Sequence, residues 1–163
     1  MDFGSFTSVV ENWPTDWIIL GAFAALAAFD TLRAGSSRVA ALSLALPISA
    51  VTYGEISHTF PISSFLTQIS SPVVQGALFA ILLVIFFLLM RRIVGLWGDL
   101  SAGPLPALIA GLACAVIAIT IWLQIPILDS LWHFGTHVQA IFGQDYRLSW
   151  LLGAFAALAY VRS

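Results

Sequence analysis

The chain has 163 residues, of which 60% are hydrophobic and 9% charged, with a mean hydropathy of +1.00 and a formal net charge of −2. A soluble domain carries about 25% charge, so this composition excludes an ordinary soluble enzyme, and the scarcity of cations argues against any nucleic-acid partner. The expectation is an all-α membrane protein of one domain: a polytopic helical bundle with four to five transmembrane helices and short interfacial amphipathic helices.

Phe3, Phe6, Val10 and Trp13 recur at helical spacing among polar neighbours, which predicts a surface-lying helix over 3–13. Pro14 ends it, and Thr15 or Asp16 can cap the helix that follows. The first 30 residues carry Asp2, Glu11, Asp16 and Asp30 but no Lys or Arg. A cleavable signal needs a positive start, so the first span, 17–32, is expected to stay in the mature protein. Its small residues, Gly21 and Ala25 among them, predict a close helix–helix contact. Asp30 and Arg33 stand three apart and are expected to pair.

After the turn through Gly35 comes a second span, 39–56, in which Pro47 predicts a kink or local break. Residues 61–71 read as a second surface helix. A third span, 73–90, ends on Arg91-Arg92, since arginine in hydrocarbon costs roughly 2.5–3.5 kcal/mol. A short turn leads to a fourth span, 105–125, where Gly103, Ala107, Gly111 and Ala115 repeat every four residues as a packing stripe. Cys114 sits mid-span, and as the single cysteine it can form no intramolecular disulfide.

Residues 127–142 place Leu128, Leu131, Trp132, Val138, Ile141 and Phe142 on one helical arc and Asp129, Ser130, His133, Thr136 and His137 on the other, with Gln139 on the wrong side. One continuous interfacial helix is predicted. The closing apolar run, 148–161, is short for a span; it either crosses tilted or dips in without crossing. It also repeats LGAFAALA, residues 20–27, at 152–159. The flanks differ, so the echo reads as convergent small-residue packing rather than an inverted repeat.

Positive residues favour the cytoplasmic side. With the N-terminus outside and five crossings, Arg33, Arg38, Arg91, Arg92 and Arg162 all fall inside, with Arg147 as the exception. The C-terminus is then cytoplasmic. Chemistry is sparse. Asp129, His133 and His137, spaced by four, form a weak metal-ligand pattern whose plainer reading is a polar face among headgroups. No carboxylate lies between the histidines to act as a base, and no nucleophile elbow is present. No catalytic residue and no cofactor is expected. The expected partners are the lipid bilayer and a membrane protein or a second copy of the chain.

Asp16-Trp17, Gly21, Arg33, Gly35, Arg38 and Leu42-Ser43-Leu44, followed by Asp99, Gly103 and Gly111, resemble the bacterial colicin V production protein (CvpA) family over residues 16–123. In that family the first helix opens on an Asp-Trp-like pair and a Gly and ends in Arg-Gly, then an Arg and a Leu-Ser-Leu run. A later Asp-Arg is followed by Gly, Gly and Arg-Gly. Here Ala34 is inserted between Arg33 and Gly35, and Leu100, Ala107 and Ala110 replace the later Arg, Gly and Arg. The resemblance implies a four-span bacterial inner-membrane protein without known catalytic residues, linked to toxin secretion and envelope function, with the C-terminal run as an addition. The alternatives are a small subunit or oligomeric pore-former of a membrane transport complex and, third, a membrane metalloenzyme built on His133.

The topology is testable. In a Cys114→Ala background, cysteines placed at Ser36 and Ser101 should be shielded from an impermeant thiol reagent applied outside; labelling of either from that side overturns the orientation.

Overall fold

The computed structural model describes residues 15–58, 71–95 and 103–162. These form α1 (Thr15–Ala34), α2 (Ser36–His58), α3 (Pro72–Gly95), α4 (Pro104–Trp122), α5 (Pro126–Leu131), α6 (Thr136–Phe142), a 3₁₀ turn (Gln144–Tyr146) and α7 (Arg147–Arg162), with no strand among them. The four helices α1 to α4 are long and apolar enough to cross a membrane. The chain is an all-α membrane bundle. The surface helices expected over 3–13 and 61–71 lie outside the described residues, apart from Ser71.

α4 is the axis. It touches α1, α2 and α7, while α3 leans on α2 and, at one end, on α5. The reason is side-chain size. Ala107, Ala110, Gly111, Ala113, Cys114 and Ala115 are all buried on α4, and residues this small let neighbouring backbones approach where no hydrophobic drive between helices exists. The closest approach is at Gly111. A Cβ built there would lie 2.5 Å from the Ala24 carbonyl oxygen and 2.8 Å from both the Ala28 Cβ and the Ala28 nitrogen. No side chain rotation relieves a clash with backbone, so only glycine fits.

The opposing face on α1 is Ala24, Ala27, Ala28 and Thr31. Gly21 and Ala25, expected from sequence at the contact, are instead exposed, and no atom outside its own helix neighbourhood comes within 4 Å of a Cβ at Gly21. The register differs because a run of small residues offers several faces to a partner, and α4 takes the one whose carbonyl meets Gly111. Gly103 is also exposed; it precedes the first turn of α4, which Pro104 opens.

The α1–α2 turn is a single residue. Gly35 has φ 83° and donates its N–H to the Thr31 carbonyl at 3.0 Å. That is a left-handed helix C-cap, a conformation that costs other residues roughly 1–2 kcal/mol. The sharp reversal brings Arg38 to Asp30 at 3.5 Å. Asp30 therefore pairs across the turn, and not with Arg33 on its own helix as the spacing suggested. Ser36 is buried in this turn, so shielding of a cysteine there reports burial as well as side, whereas labelling from outside still overturns the orientation.

α2 continues unbroken through Pro47. Proline removes one donor, and in membranes surrounding packing tolerates this. Hydroxyls buried in the bundle bond back onto their own helices: Thr31 to the Ala27 carbonyl, Ser49 to Ala45 and Thr120 to Val116, at 2.7–2.8 Å. The Ser43 hydroxyl is buried beside the Cys114 thiol, with no oxygen or nitrogen partner among the described residues.

α7, at 16 residues, is about 24 Å long, less than a bilayer core of roughly 30 Å. It runs antiparallel to α4: Ala154 packs with Ile117 and Ile121, and Val161 with Ala110 and Cys114. It thus descends along α4 from the far end towards the level of Val39 and Ala27. α1 and α7, which carry the two LGAFAALA copies, therefore run parallel to each other against the same helix. They use different faces. Ala24 and Ala27 are buried in the first copy, whereas their counterparts Ala156 and Ala159 are exposed and Ala154, the counterpart of exposed Ala22, is buried. The echo is not a structural repeat.

Gly111→Leu should destabilise the protein in detergent by about 1–3 kcal/mol, because the new side chain collides with α1 backbone. Leu112→Ala, on the exposed side of the same helix, should change the unfolding midpoint little. Equal effects in a thermal unfolding series would show that the α1–α4 approach is not what holds the bundle.

Candidate functional site

The polar atoms gather at the two ends of the bundle. One end is the segment after α4. Residues 127–142 are not one helix: α5 stops at Leu131, Trp132 turns extended (φ −149°, ψ 114°), and α6 restarts after Gly135. On a continuous helix Gln139 would fall in the middle of the apolar arc, between Leu128 and Trp132. In the unwound segment Phe134 is buried with Ile119, Val138 and Phe142 and meets Trp122 edge-on at 6.1 Å.

Unwound backbone in a membrane interface needs partners, and side chains supply them. The Trp122 indole donates to the Trp132 carbonyl at 3.2 Å, and the Gln139 amide to the Phe134 carbonyl at 2.8 Å. Gln139, out of place on a helical wheel, thus closes the break. The Asp16 carboxylate accepts the Gly135 N–H at 2.5 Å, tying the start of α1 to this segment across 119 residues of sequence. Asp16 lies inside the first turn of α1, so its carboxylate both faces the positive helix end and serves a distant donor. Arg147 donates to the Leu123 carbonyl at 2.9 Å, which satisfies the end of α4 with a cation, the sign that a helix C-terminus favours. The Trp150 indole reaches the Ile141 carbonyl at 2.8 Å.

The sequence-level metal candidates separate here. His133 Nε2 lies 3.3 Å from Asp129 Oδ2, but His133 sits in the break and His137 on α6. Among the described residues no three His, Cys, Asp or Glu side chains come together as a ligand set. The helical spacing that suggested a shared face does not survive the unwinding. His133 is well exposed, and Asp129 keeps its second oxygen, Oδ1, buried without a partner among the described residues.

At the opposite end, the last turn of α1, the first of α2 and the last of α3 bring Arg33, Arg38 and Arg91 to one polar cavity, with Arg92 exposed beside it in sequence. Arg162 closes α7. Between the two ends the lining is apolar. A lateral groove of about 450 Å³ runs between α1 and α3, walled by Leu20, Phe23, Phe79 and Leu83 and closed by Trp132 and Phe134. Sequence reasoning missed this groove and the role of Asp16, since both depend on segments far apart in the chain.

Comparison with known protein families, curated proteins and solved structures returns no match for this chain.

Asp16→Ala should lower stability by about 1.5 kcal/mol, the lower end for a hydrogen bond to a charged group because this one is exposed. The double change His133→Ala with His137→Ala should stay within about 0.5 kcal/mol of wild type. Stoichiometric zinc in purified protein, lost in that double variant, would overturn the assignment of the histidines to a passive polar surface.

Proposed function

We propose that the chain is a non-enzymatic component of the bacterial inner membrane, similar to the colicin V production family, that acts by packing a transmembrane helix against a membrane protein partner in secretion or envelope maintenance. The observation that carries this reading is α3. This 24-residue helix buries Phe79 and Val94, whereas α1, α2 and α4 each pack on at least two other spans. Ile81, Val84, Ile85 and Leu88 are all exposed, and their spacing of i, i+3, i+4 and i+7 makes one continuous aliphatic stripe. A stripe of that kind is the form in which an unpaired helix offers a packing seam.

The residues behind the family resemblance have physical work in this bundle that fits a packing role. Asp16 ties the two halves of one end together, Gly35 makes the one-residue turn, and Gly111 admits the α1 backbone. A pore-forming oligomer would need a polar face along a span to wet the channel, and the exposed stripe of α3 is aliphatic throughout. The orientation with the N-terminus outside and the C-terminus cytoplasmic is supported by the gathering of Arg33, Arg38 and Arg91 at the end away from Asp16 and Asp129.

Photo-crosslinking in native membranes tests this. A benzophenone amino acid at Ile81 or Ile85 should give an adduct of one discrete mass, while the same probe at Leu26, exposed on α1, should give lipid adducts only. Lipid adducts alone from both helices would overturn the proposal; an adduct of twice the chain mass would identify the partner as a second copy.

A further inference from the structure

The cavity at the arginine end has a composition that packing does not require. It encloses about 620 Å³ and is lined by Asp30, Arg33, Ala34, Ser37, Arg38, Arg91 and Gly95. Three guanidiniums from three helices share it with one carboxylate. Arg38 is held to Asp30 at 3.5 Å, while Arg33 and Arg91 are exposed and have no ion pair among the described residues. Surface arginines at the cytoplasmic end of a membrane protein ordinarily point outward into water. Here they converge, which brings like charges together at an energetic cost unless an anion sits between them.

A second observation points the same way. Ser37, only 8% exposed, lines the cavity. It stands in the first turn of α2, whose leading backbone N–H groups have no acceptor within the helix. The cavity therefore presents planar cationic forks and a hydroxyl to one volume. That donor set matches a tetrahedral oxyanion, because guanidinium forks bind phosphate oxygens two at a time.

We infer that this cavity is a binding site for a phosphate group, supplied by the headgroup of an anionic phospholipid. The position favours that source over a soluble ion. The cavity lies where three apolar helices end, and Leu32, Leu89 and Ile93, next to the arginines in sequence, are exposed aliphatic side chains on which acyl chains can lie. Basic pockets between transmembrane helices are the form that such headgroup sites take. The two charges left uncompensated by Asp30 suit one or two phosphodiesters.

The test uses the full chain purified in neutral detergent. Native mass spectrometry would measure retention of phosphatidylglycerol against phosphatidylcholine, and thermal unfolding would be followed with either lipid or with inorganic phosphate. Wild type should retain phosphatidylglycerol in preference and be stabilised by it. Arg33→Gln and Arg91→Gln should each weaken retention about tenfold, the scale of one charge-assisted hydrogen bond. Arg92→Gln removes the same charge next to the cavity without touching its lining and should retain lipid as wild type does. Arg33→Lys with Arg91→Lys keeps the charge and the insertion signal, so it reads the fork geometry if the glutamine variants fail to fold; it should bind more weakly than wild type. Stabilisation by inorganic phosphate at least equal to that by lipid, lost in Arg91→Gln, would keep the phosphate site and overturn the lipid as its source. No preference for phosphatidylglycerol together with no effect of phosphate, or equal losses in Arg92→Gln and Arg91→Gln, would overturn the site altogether.

Discussion

Everything in this bundle depends on how closely α1 approaches α4. In water two helices are pressed together because apolar surface leaves the solvent. In lipid that drive is absent, and close contact between backbones has to replace it. Gly111 permits the contact, with the Ala24 carbonyl oxygen 2.5 Å from where a Cβ would stand. Once α1 is seated there, its first turn can reach Gly135 through Asp16, and its last turn delivers Gly35 and Arg38 to Asp30. The two polar ends of the molecule are thus consequences of one apolar contact between them.

The end built on α5 and α6 shows how an amphipathic sequence can decline to be a helix. A continuous helix over 127–142 satisfies its own backbone but leaves Gln139 in the middle of the apolar arc. Breaking at Trp132–Gly135 exposes carbonyls, yet the indole of Trp122 and the amide of Gln139 bond two of them, and Phe134 is buried with Val138 and Phe142. A polar group left unpaired in the apolar interior costs about 1–3 kcal/mol, and the break instead gives the Gln139 amide the Phe134 carbonyl.

That balance also marks how far the sequence could be read. The all-α membrane class and the four long helices follow from hydropathy and length alone, and so does the burial of Ala107, Gly111 and Ala115, because a spacing of four keeps them on one side of a straight helix. The facing surface on α1 did not follow. Gly21 and Ala25 share the same spacing as Ala24 and Ala28, and only the third dimension chooses between them. Asp30 found Arg38 instead of Arg33 because a positive-φ glycine reverses the chain in one residue, which a helical wheel cannot represent. The histidine pattern failed for a related reason: a spacing of four has meaning only while the helix continues.

The two copies of LGAFAALA carry this argument to its limit. Eight identical residues run parallel on two sides of the same helix, yet one copy buries Ala24 and Ala27 while the other buries Ala154. Local sequence therefore specifies that each segment is a helix with small residues on several sides, and nothing more. What selects the face lies outside the octapeptide. For α1 it is Gly111 on the partner, and the Asp16 carboxylate, which fixes the rotation of the helix from one end. For α7 it is Arg147, held to the Leu123 carbonyl, with the Trp150 indole bonded to Ile141. A polar anchor at the membrane surface sets the rotation of an apolar helix that has no other means of choosing it.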